Sequence, residues 1–194
     1  MNAAEMRHRL ANLFQLLSTL TRMRIQRSTD PESRRQLTWM LESISALGML
    51  QQRLIQPTGG DFADYLTDML PQWRRRCAGR PVQVELVTTS LFVREQLASA
   101  LAVITNELVT NAIAHAHPDG RAGAVRIELA ALPDGGGALT VSDDGVGYEA
   151  APDDRSKLGL WLIRGLSDQV KGVMTTTTTD GVKARLEFPT GQVG

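Results

Sequence analysis

The sequence lacks three features, each of which would point to a particular class of protein. Its 194 residues contain one cysteine, Cys77, so no internal disulfide can form, which fits a reducing cytosol. Lys plus Arg and Asp plus Glu number 21 each, so no overall basic field attracts nucleic acid or an anionic membrane. No apolar run reaches about 18 residues, which excludes a membrane span. The first ten residues carry charges and contain no apolar core of signal-peptide length, which excludes a signal peptide. We therefore expect a cytoplasmic protein that forms one sizeable domain or two small ones.

Apolar residues at alternating spacings of three and four predict two helices in the first 57 residues. Asp30 and Pro31 are typical of the N-cap and first position of the second helix, and residues 57–60 form a linker. Two antiparallel helices cannot cover two apolar stripes, so we expect a homodimer that forms a four-helix bundle. His8 lies off the first stripe, on a polar and accessible side of its helix. The stripes consist of Met6, Leu10, Leu13, Leu17 and Leu20, and of Leu37, Leu41, Ile44, Leu47 and Leu54.

From Phe62 onward, helical and strand-like patterns alternate. Helices are predicted over 62–77, 93–115 and 158–170, and strands over 82–86, 125–129, 139–142, 173–179 and 183–188. Asp180-Gly181 is typical of a hairpin turn between the last two strands. The sequence thus predicts an α+β protein in which a helical hairpin over 1–57 precedes an α/β sandwich over 61–190. The sandwich has a mixed sheet with its helices on one face.

Two polar residues, Glu107 and Asn111, lie one turn apart at the border of the buried face of the longest predicted helix. Burying either without a partner would cost about 1–3 kcal/mol. A bound metal–phosphate group would supply a partner, and ordinary boundary residues of an amphipathic helix are the alternative. We place His115 and His117 in a loop rather than a metal site, because no cysteine or carboxylate cluster accompanies them.

Asp143 ends a predicted strand, and glycines follow at 145 and 147. The glycines allow a tight turn close to a flat ligand, and the carboxylate can accept a hydrogen bond from the exocyclic amine of adenine. Similar sequences also occur in many β-turns. The polar stretch 148–157 predicts a lid, and the helix that begins with Leu158-Gly159-Leu160 favours phosphate at its free N–H groups.

The order of these motifs resembles the Bergerat-type ATPase domain that sensor histidine kinases and gyrase share. The motifs are Asn-Glu-x-x-x-Asn at 106–111, Asp-x-Gly-x-Gly at 143–147 and Leu-Gly-Leu at 158–160. Upstream, Glu-Met-Arg-His-Arg-Leu-Ala-Asn at 5–12 resembles the phosphoacceptor box of the HisKA_2 histidine kinases. The resemblance covers nearly the whole chain, from Glu5 to Pro189.

The resemblance implies a role for each motif residue, with ATP and Mg²⁺ as cofactors. His8 would be the phosphoacceptor, and Glu107 would accept or polarise its imidazole proton. Asn111 would hold Mg²⁺, and Asn106 would support the same site. A response-regulator receiver domain would be the partner of the homodimer. The rest of the nucleotide pocket would consist of Asp143, Gly145, Gly147, Leu158, Gly159 and Leu160.

Four positions depart from the family pattern: Lys157 replaces a frequent glycine, Val182 a frequent threonine, and Ala11 and Ala114 frequent lysines. The loss of these groups near the phosphates would lower the catalytic rate. It would affect the fold and the affinity for nucleotide less. The phosphoacceptor box lies close to Met1, which predicts either a fragment or a stand-alone protein that takes its signal from a sensor in trans.

Three functions compete at this point. The first is a histidine kinase core, and the second is a phosphotransfer or scaffold protein of the same fold that passes phosphate through His8 without ATP. The third is an anti-sigma-factor-like Ser/Thr kinase with a related ATPase domain. The box around His8 and its helical hairpin argue against the third.

Overall fold

The computed structural model describes residues 3–53, 60–147 and 158–190. Its N-terminal hairpin consists of α1 (Ala3–Arg27) and α2 (Pro31–Arg53). The carboxylate of Asp30 accepts hydrogen bonds from the backbone N–H of Ser33 at 2.8 Å and from its hydroxyl at 2.6 Å. Asp30 is therefore the N-cap of α2, as the sequence predicts.

Three leucines of the α1 stripe do not pack against α2. Leu13, Leu17 and Leu20 are 49%, 39% and 53% exposed. Phe14 faces α2 instead, and its Cβ lies 3.6 Å from the position that a Cβ on Gly48 would take. The predicted stripe is thus available to another surface, as a dimer requires, and the dimer itself stays a prediction.

Ten further elements follow the hairpin within the described residues. The large sheet has the strand order β2-β4-β5-β7-β6, in which β2 and β4 are parallel and the other pairs antiparallel, so the predicted mixed sheet is confirmed. The elements are β1 (Gly60–Asp61), α3 (Phe62–Arg76), β2 (Val82–Thr88), β3 (Phe92–Val93), α4 (Glu95–His115), β4 (Gly123–Ala131), β5 (Gly136–Asp143), α5 (Leu158–Gln169), β6 (Val173–Thr177) and β7 (Lys183–Pro189).

The sequence did not predict the small sheet in which β1 pairs antiparallel with β3. It put Val93 in the long helix, but Val93 pairs with Gly60, and α4 begins at Glu95. Asp61 holds the junction, since its carboxylate accepts the N–H groups of Ala63 at 2.9 Å and Leu91 at 3.0 Å. Burial opposes ionisation of Asp61, but these bonds and one from the Ser90 hydroxyl outweigh it and lower the pKa of the carboxyl.

The helices cover one face of the large sheet, as predicted. Val125, Ile127 and Leu129 of β4 are at most 2% exposed and face the helices, whereas the alternate residues, such as Arg126, face solvent. The same hydrophobic core includes Ala46 and Leu50 of α2 and Phe62, Tyr65, Leu66, Met69 and Trp73 of α3. The hairpin is therefore docked on the sandwich along α2.

Among the described helices, α4 alone is long and apolar enough to cross a membrane by length and composition. In this structure 72% of that stretch is buried inside the protein. Its position between α2, α3, α5 and the sheet accounts for its apolar composition.

Candidate functional site

The polar residues of α4 meet at one side of this core helix. Glu107 is 5% exposed, and its Oε1 accepts a hydrogen bond from Nδ2 of Asn111 at 3.3 Å. The amide of Asn111 is half-buried and turns its nitrogen towards Glu107, which leaves its carbonyl oxygen for a ligand. The structure therefore brings these two predicted site residues together.

Asn106 has a different environment. It is 3% exposed, and its Oδ1 accepts a hydrogen bond from Nε1 of the fully buried Trp73 at 3.3 Å. One turn further along α4, the hydroxyl of Thr110 accepts a hydrogen bond from Arg76 at 2.9 Å. The side-chain oxygen of Asn106 thus fixes α4 against α3. Local spacing could not predict this contact, because Trp73 lies 33 residues from Asn106 in the chain.

Glu107 also contacts two other elements. Nε1 of Trp39 in α2 donates a hydrogen bond to Oε2 of Glu107. At the start of α5, a Cβ on Gly159 would lie 1.9 Å from Oε1 of Glu107, so only glycine fits without displacing the carboxylate. Three helices therefore enclose this one carboxylate.

Burial raises the pKa of Glu107, and the nearby Glu42 raises it further, although the hydrogen bonds from Trp39 and Asn111 oppose the shift. A carboxylate is a better proton acceptor near neutral pH when its pKa is raised towards that pH.

Asp143 ends β5, as predicted. Its Oδ1 accepts the backbone N–H groups of Gly145 at 3.0 Å and Val182 at 3.2 Å. These bonds orient the carboxylate and leave Oδ2 for a ligand. The neighbouring chain comes close: a Cβ on Gly181, whose φ is +104°, would lie 2.1 Å from the carbonyl oxygen of Asp143.

The two glycines of the Asp-x-Gly-x-Gly motif are also needed because the neighbouring backbone leaves no space for a Cβ. A Cβ on Gly145 would lie 2.4 Å from the carbonyl oxygen of Ala116, and one on Gly147 would lie 2.2 Å from that of Thr178. Gly147 also has a φ of +64°, which favours glycine. The turn is therefore packed between the end of α4 and the β6–β7 connection.

His117 and Asp144 form a cluster that the sequence did not reveal. Nε2 of His117 lies 2.9 Å from Oδ1 of Asp144, and the imidazole is 2% exposed although it lies in the predicted loop. The loop prediction was wrong for His115, which is the last residue of α4. The N–H of Ala124 donates to the same oxygen at 2.8 Å and, with His117, lowers the pKa of Asp144. The cluster joins the end of α4 to the start of β4 beside Asp143.

The remaining predicted residues are only partly described. Leu158, Gly159 and Leu160 begin α5 as predicted, and Leu160 is 36% exposed. The predicted lid over 148–157 and linker residues 57–59 lie outside the described residues. His8 lies within α1, but its side chain is not among those described.

The structure does not bring His8 to Glu107. Phe14 lies opposite Gly48 in the hairpin. His8 is six residues from Phe14 towards the open end, and Trp39 is nine residues from Gly48 towards the closed end. At a rise of about 1.5 Å per residue, His8 and Trp39 are separated by about 22 Å along the hairpin axis. Because Trp39 contacts Glu107, this is also the approximate distance between His8 and Glu107 along that axis.

The described residues contain no group of three His, Cys, Asp or Glu side chains arranged to hold a metal ion. The donor that fits Mg²⁺ is the carbonyl oxygen of Asn111. Mg²⁺ commonly binds through one or two protein oxygens, with phosphates and water completing its shell. Asn111 therefore fits a nucleotide-bound magnesium rather than an ion caged by protein.

A one-sided α/β sandwich with this helix, this strand-end carboxylate and these glycine turns defines an ATPase-type domain attached to a helical hairpin. A sequence model described as histidine kinase-like ATPase domain matches residues 79–187, and the HisKA_2 histidine kinase model matches residues 5–76. The chain therefore belongs to the histidine kinase family, with the HisKA_2 and histidine kinase-like ATPase regions in tandem.

Individual relatives agree with this assignment. The sensor histidine kinase PdtaS of Mycobacterium tuberculosis is 27% identical over 98% of this chain, which spans 40% of that protein's length. The histidine kinase domain of the Erythrobacter litoralis EL346 blue-light activated kinase has a similar fold, with a TM-score of 0.76 and 19% identity over 97% of this chain and 95% of that one. Full-length ShkA in complex with AMPPNP gives a TM-score of 0.56 at 17% identity, over 96% of this chain and 45% of that one.

Proposed function

We propose that this chain is a histidine kinase core that phosphorylates His8 from ATP and passes the phosphoryl group to an aspartate of a response-regulator receiver domain. The observation that carries the proposal is the pairing of Glu107 with Asn111 beside Gly159. Family membership supports ATP as the phosphoryl donor. A pure phosphate relay has no use for a proton-accepting carboxylate next to a free amide oxygen.

The proposed first reaction is an in-line displacement. The unprotonated nitrogen of His8 forms a bond to the γ-phosphorus of ATP, and the bond between that phosphorus and the β–γ bridging oxygen breaks. ADP leaves with the electron pair of the broken bond. The other imidazole nitrogen gives its proton to the carboxylate of Glu107. In the second reaction, a carboxylate oxygen of a receiver aspartate forms a bond to the phosphorus, and the bond between phosphorus and the His8 nitrogen breaks. The electron pair of that bond returns to the imidazole.

Nucleotide binding in this proposal divides between two places. Oδ2 of Asp143 accepts the hydrogen bond of the adenine amine, while Oδ1 stays bound to the backbone. The start of α5 at Gly159 faces the phosphates with free N–H groups. Mg²⁺ would be held by the carbonyl oxygen of Asn111 together with phosphates and water, and would neutralise phosphate charge.

We further propose that residues 1–57 and 61–190 act as two units. The second unit must leave its present position on α2, because Glu107 lies about 22 Å from the level of His8 along the hairpin. A homodimer through the exposed face of Leu13 and Leu17 does not remove this need. In a bundle with its two-fold axis along the helices, the His8 of a second copy lies at the same level.

The experiment is incubation with γ-labelled ATP and Mg²⁺, followed by acid and base treatment. We expect a label that is acid-labile, base-stable and absent from His8→Ala and Asn111→Ala. His115→Ala is the matched control, because His115 is an exposed histidine at the end of α4 and should leave labelling unchanged. If the wild type binds ATP without labelling but accepts phosphate from a phosphorylated receiver domain, the relay function replaces the kinase.

A further inference from the structure

Two polar contacts tie the hairpin to the catalytic face of α4. The indole N–H of Trp39 donates to Oε2 of Glu107. Three residues further along α2, Glu42 forms an ion pair with Arg76 of α3 at 3.1 Å. Arg76 also donates a hydrogen bond to the hydroxyl of Thr110 in α4 at 2.9 Å. The hairpin therefore contacts the proposed proton acceptor directly and its helix through a second bridge.

These contacts leave Glu107 inaccessible to an imidazole. The indole of Trp39 covers Oε2, Asn111 binds Oε1, and Gly159 packs against Oε1 without space for a methyl group. The residue is only 5% exposed. A general base must come within hydrogen-bond distance of the proton that it accepts. One of these three contacts has to open first.

The contact with Trp39 is the one that opening would break. Asn111 belongs to the same helix as Glu107, and Gly159 belongs to the same sandwich, so both move with Glu107. Trp39 belongs to the hairpin that carries His8. Moving the sandwich towards His8 therefore separates Glu107 from Trp39 and leaves the other two contacts intact.

We propose that Trp39 is an autoinhibitory clamp that holds Glu107 away from His8 until the sandwich leaves α2. The inference rests on the proposed kinase function. The contacts that orient Asp143 come from Gly145 and Val182 and not from the hairpin, so the clamp should restrain phosphoryl transfer without restraining adenine binding. A signal that reshapes the hairpin would then raise the turnover number while KM for ATP stays constant.

The hydrogen bond between Trp39 and Glu107 can be tested without an activity assay. The chain has three tryptophans, so a ¹H–¹⁵N spectrum should show three indole N–H signals, which Trp→Phe variants assign. Glu107→Gln should shift the Trp39 signal, because a neutral acceptor replaces a charged one, and should leave that of the exposed Trp161 in place. An unchanged Trp39 signal would overturn the clamp, whatever the activity of the protein.

The regulatory effect is tested with Trp39→Phe, which keeps most of the ring and removes the donor. Because a hydrogen bond to a charged group shifts an equilibrium at least about tenfold, we expect His8 labelling to become about tenfold faster with the same KM for ATP. Glu42→Gln breaks the second bridge without contacting Glu107, but it also removes a charge that raises the pKa of Glu107. Labelling should therefore also accelerate, by a smaller factor than in Trp39→Phe. Met40→Ala, at an exposed neighbour on α2, should leave the rate unchanged.

The outcomes separate the two proposals. Equal labelling of wild type, Trp39→Phe and Glu42→Gln, with nucleotide affinity retained, overturns the clamp and leaves the kinase intact. No labelling of any variant at saturating ATP, with the folds verified by circular dichroism, overturns the kinase and with it the autoinhibitory role of Trp39. Faster labelling in both variants at unchanged KM supports the clamp.

Discussion

Asp143→Asn tests the nucleotide site because it separates the two tasks of this carboxylate. In the wild type, Oδ1 accepts the N–H groups of Gly145 and Val182, and Oδ2 is left for the ligand. The asparagine amide can keep its oxygen on the two backbone donors. Its NH₂ group then takes the place of Oδ2, so a donor faces the exocyclic amine of adenine, which is also a donor.

The structure sets the expected size of the effect. The turn keeps its two backbone hydrogen bonds, so the cost falls on the ligand rather than on the fold. A hydrogen bond to a charged acceptor contributes about 1.5–3 kcal/mol, which corresponds to a rise in Kd for ADP of about 10- to 150-fold. The thermal stability of the free protein should change little.

The assay is isothermal calorimetry with ADP and with inosine diphosphate, which carries a carbonyl oxygen in place of the amine. The asparagine NH₂ can donate to that oxygen, whereas the aspartate carboxylate repels it. The variant should therefore lose affinity for ADP and gain it for inosine diphosphate. The ratio of the two dissociation constants reports this reversal independently of the fraction of active protein.

Asp144→Asn is the matched control. Its side chain is 62% exposed and faces His117 and the N–H of Ala124 instead of the proposed adenine pocket. It should leave the ratio of the two dissociation constants unchanged. If Asp143→Asn binds ADP as the wild type does, or leaves that ratio unchanged, the adenine pocket has been placed wrongly.

Three other predictions concern Glu107, Gly159 and the dimer. Because burial raises the pKa of Glu107, its contribution to stability is present at low pH and lost as pH rises through that pKa. Glu107→Gln cannot ionise, so its melting temperature relative to wild type should rise as the pH increases above the ordinary pKa of a glutamate, and a pH-independent difference would contradict this. Gly159→Ala should destabilise by about 1–3 kcal/mol in chemical denaturation because its Cβ would collide with Glu107. Gly165→Ala on the same helix meets no atom within 4 Å and should instead stabilise by about 0.5–1 kcal/mol. Replacing Leu13 and Leu17 by glutamine should yield monomers or misfolded protein in light scattering, and a monomeric wild type at micromolar concentration would refute the dimer.

The sequence predicted those parts of the site that depend on local spacing. Glu107 and Asn111 are one turn apart on a helix, so their contact follows from helical geometry once the helix is recognised. Asp143 and its glycines lie within five residues, so the strand end and the tight turn could also be read directly. The roles of these residues still depend on the family resemblance, and the experiments above test them.

Contacts between distant segments could not be predicted in this way. Trp39 lies 68 residues from Glu107. Periodicity shows which face of a helix is buried but not which element covers it. For the same reason the stripe of α1 was found, but not the contact of Phe14, which lies outside the stripe, with Gly48 of α2. The two-residue strands β1 and β3 are too short to produce a pattern at all.

The choice of a tryptophan as the donor to Glu107 explains how a site can be held closed without losing its chemistry. An arginine on this carboxylate would lower its pKa and weaken it as a proton acceptor. The interface does contain an arginine, Arg76, but Glu42 and Thr110 bind it. Glu107 is left with the neutral donors Trp39 and Asn111. When the sandwich leaves the hairpin, only the neutral indole has to be given up, and Oε2 is exposed for the proton of His8.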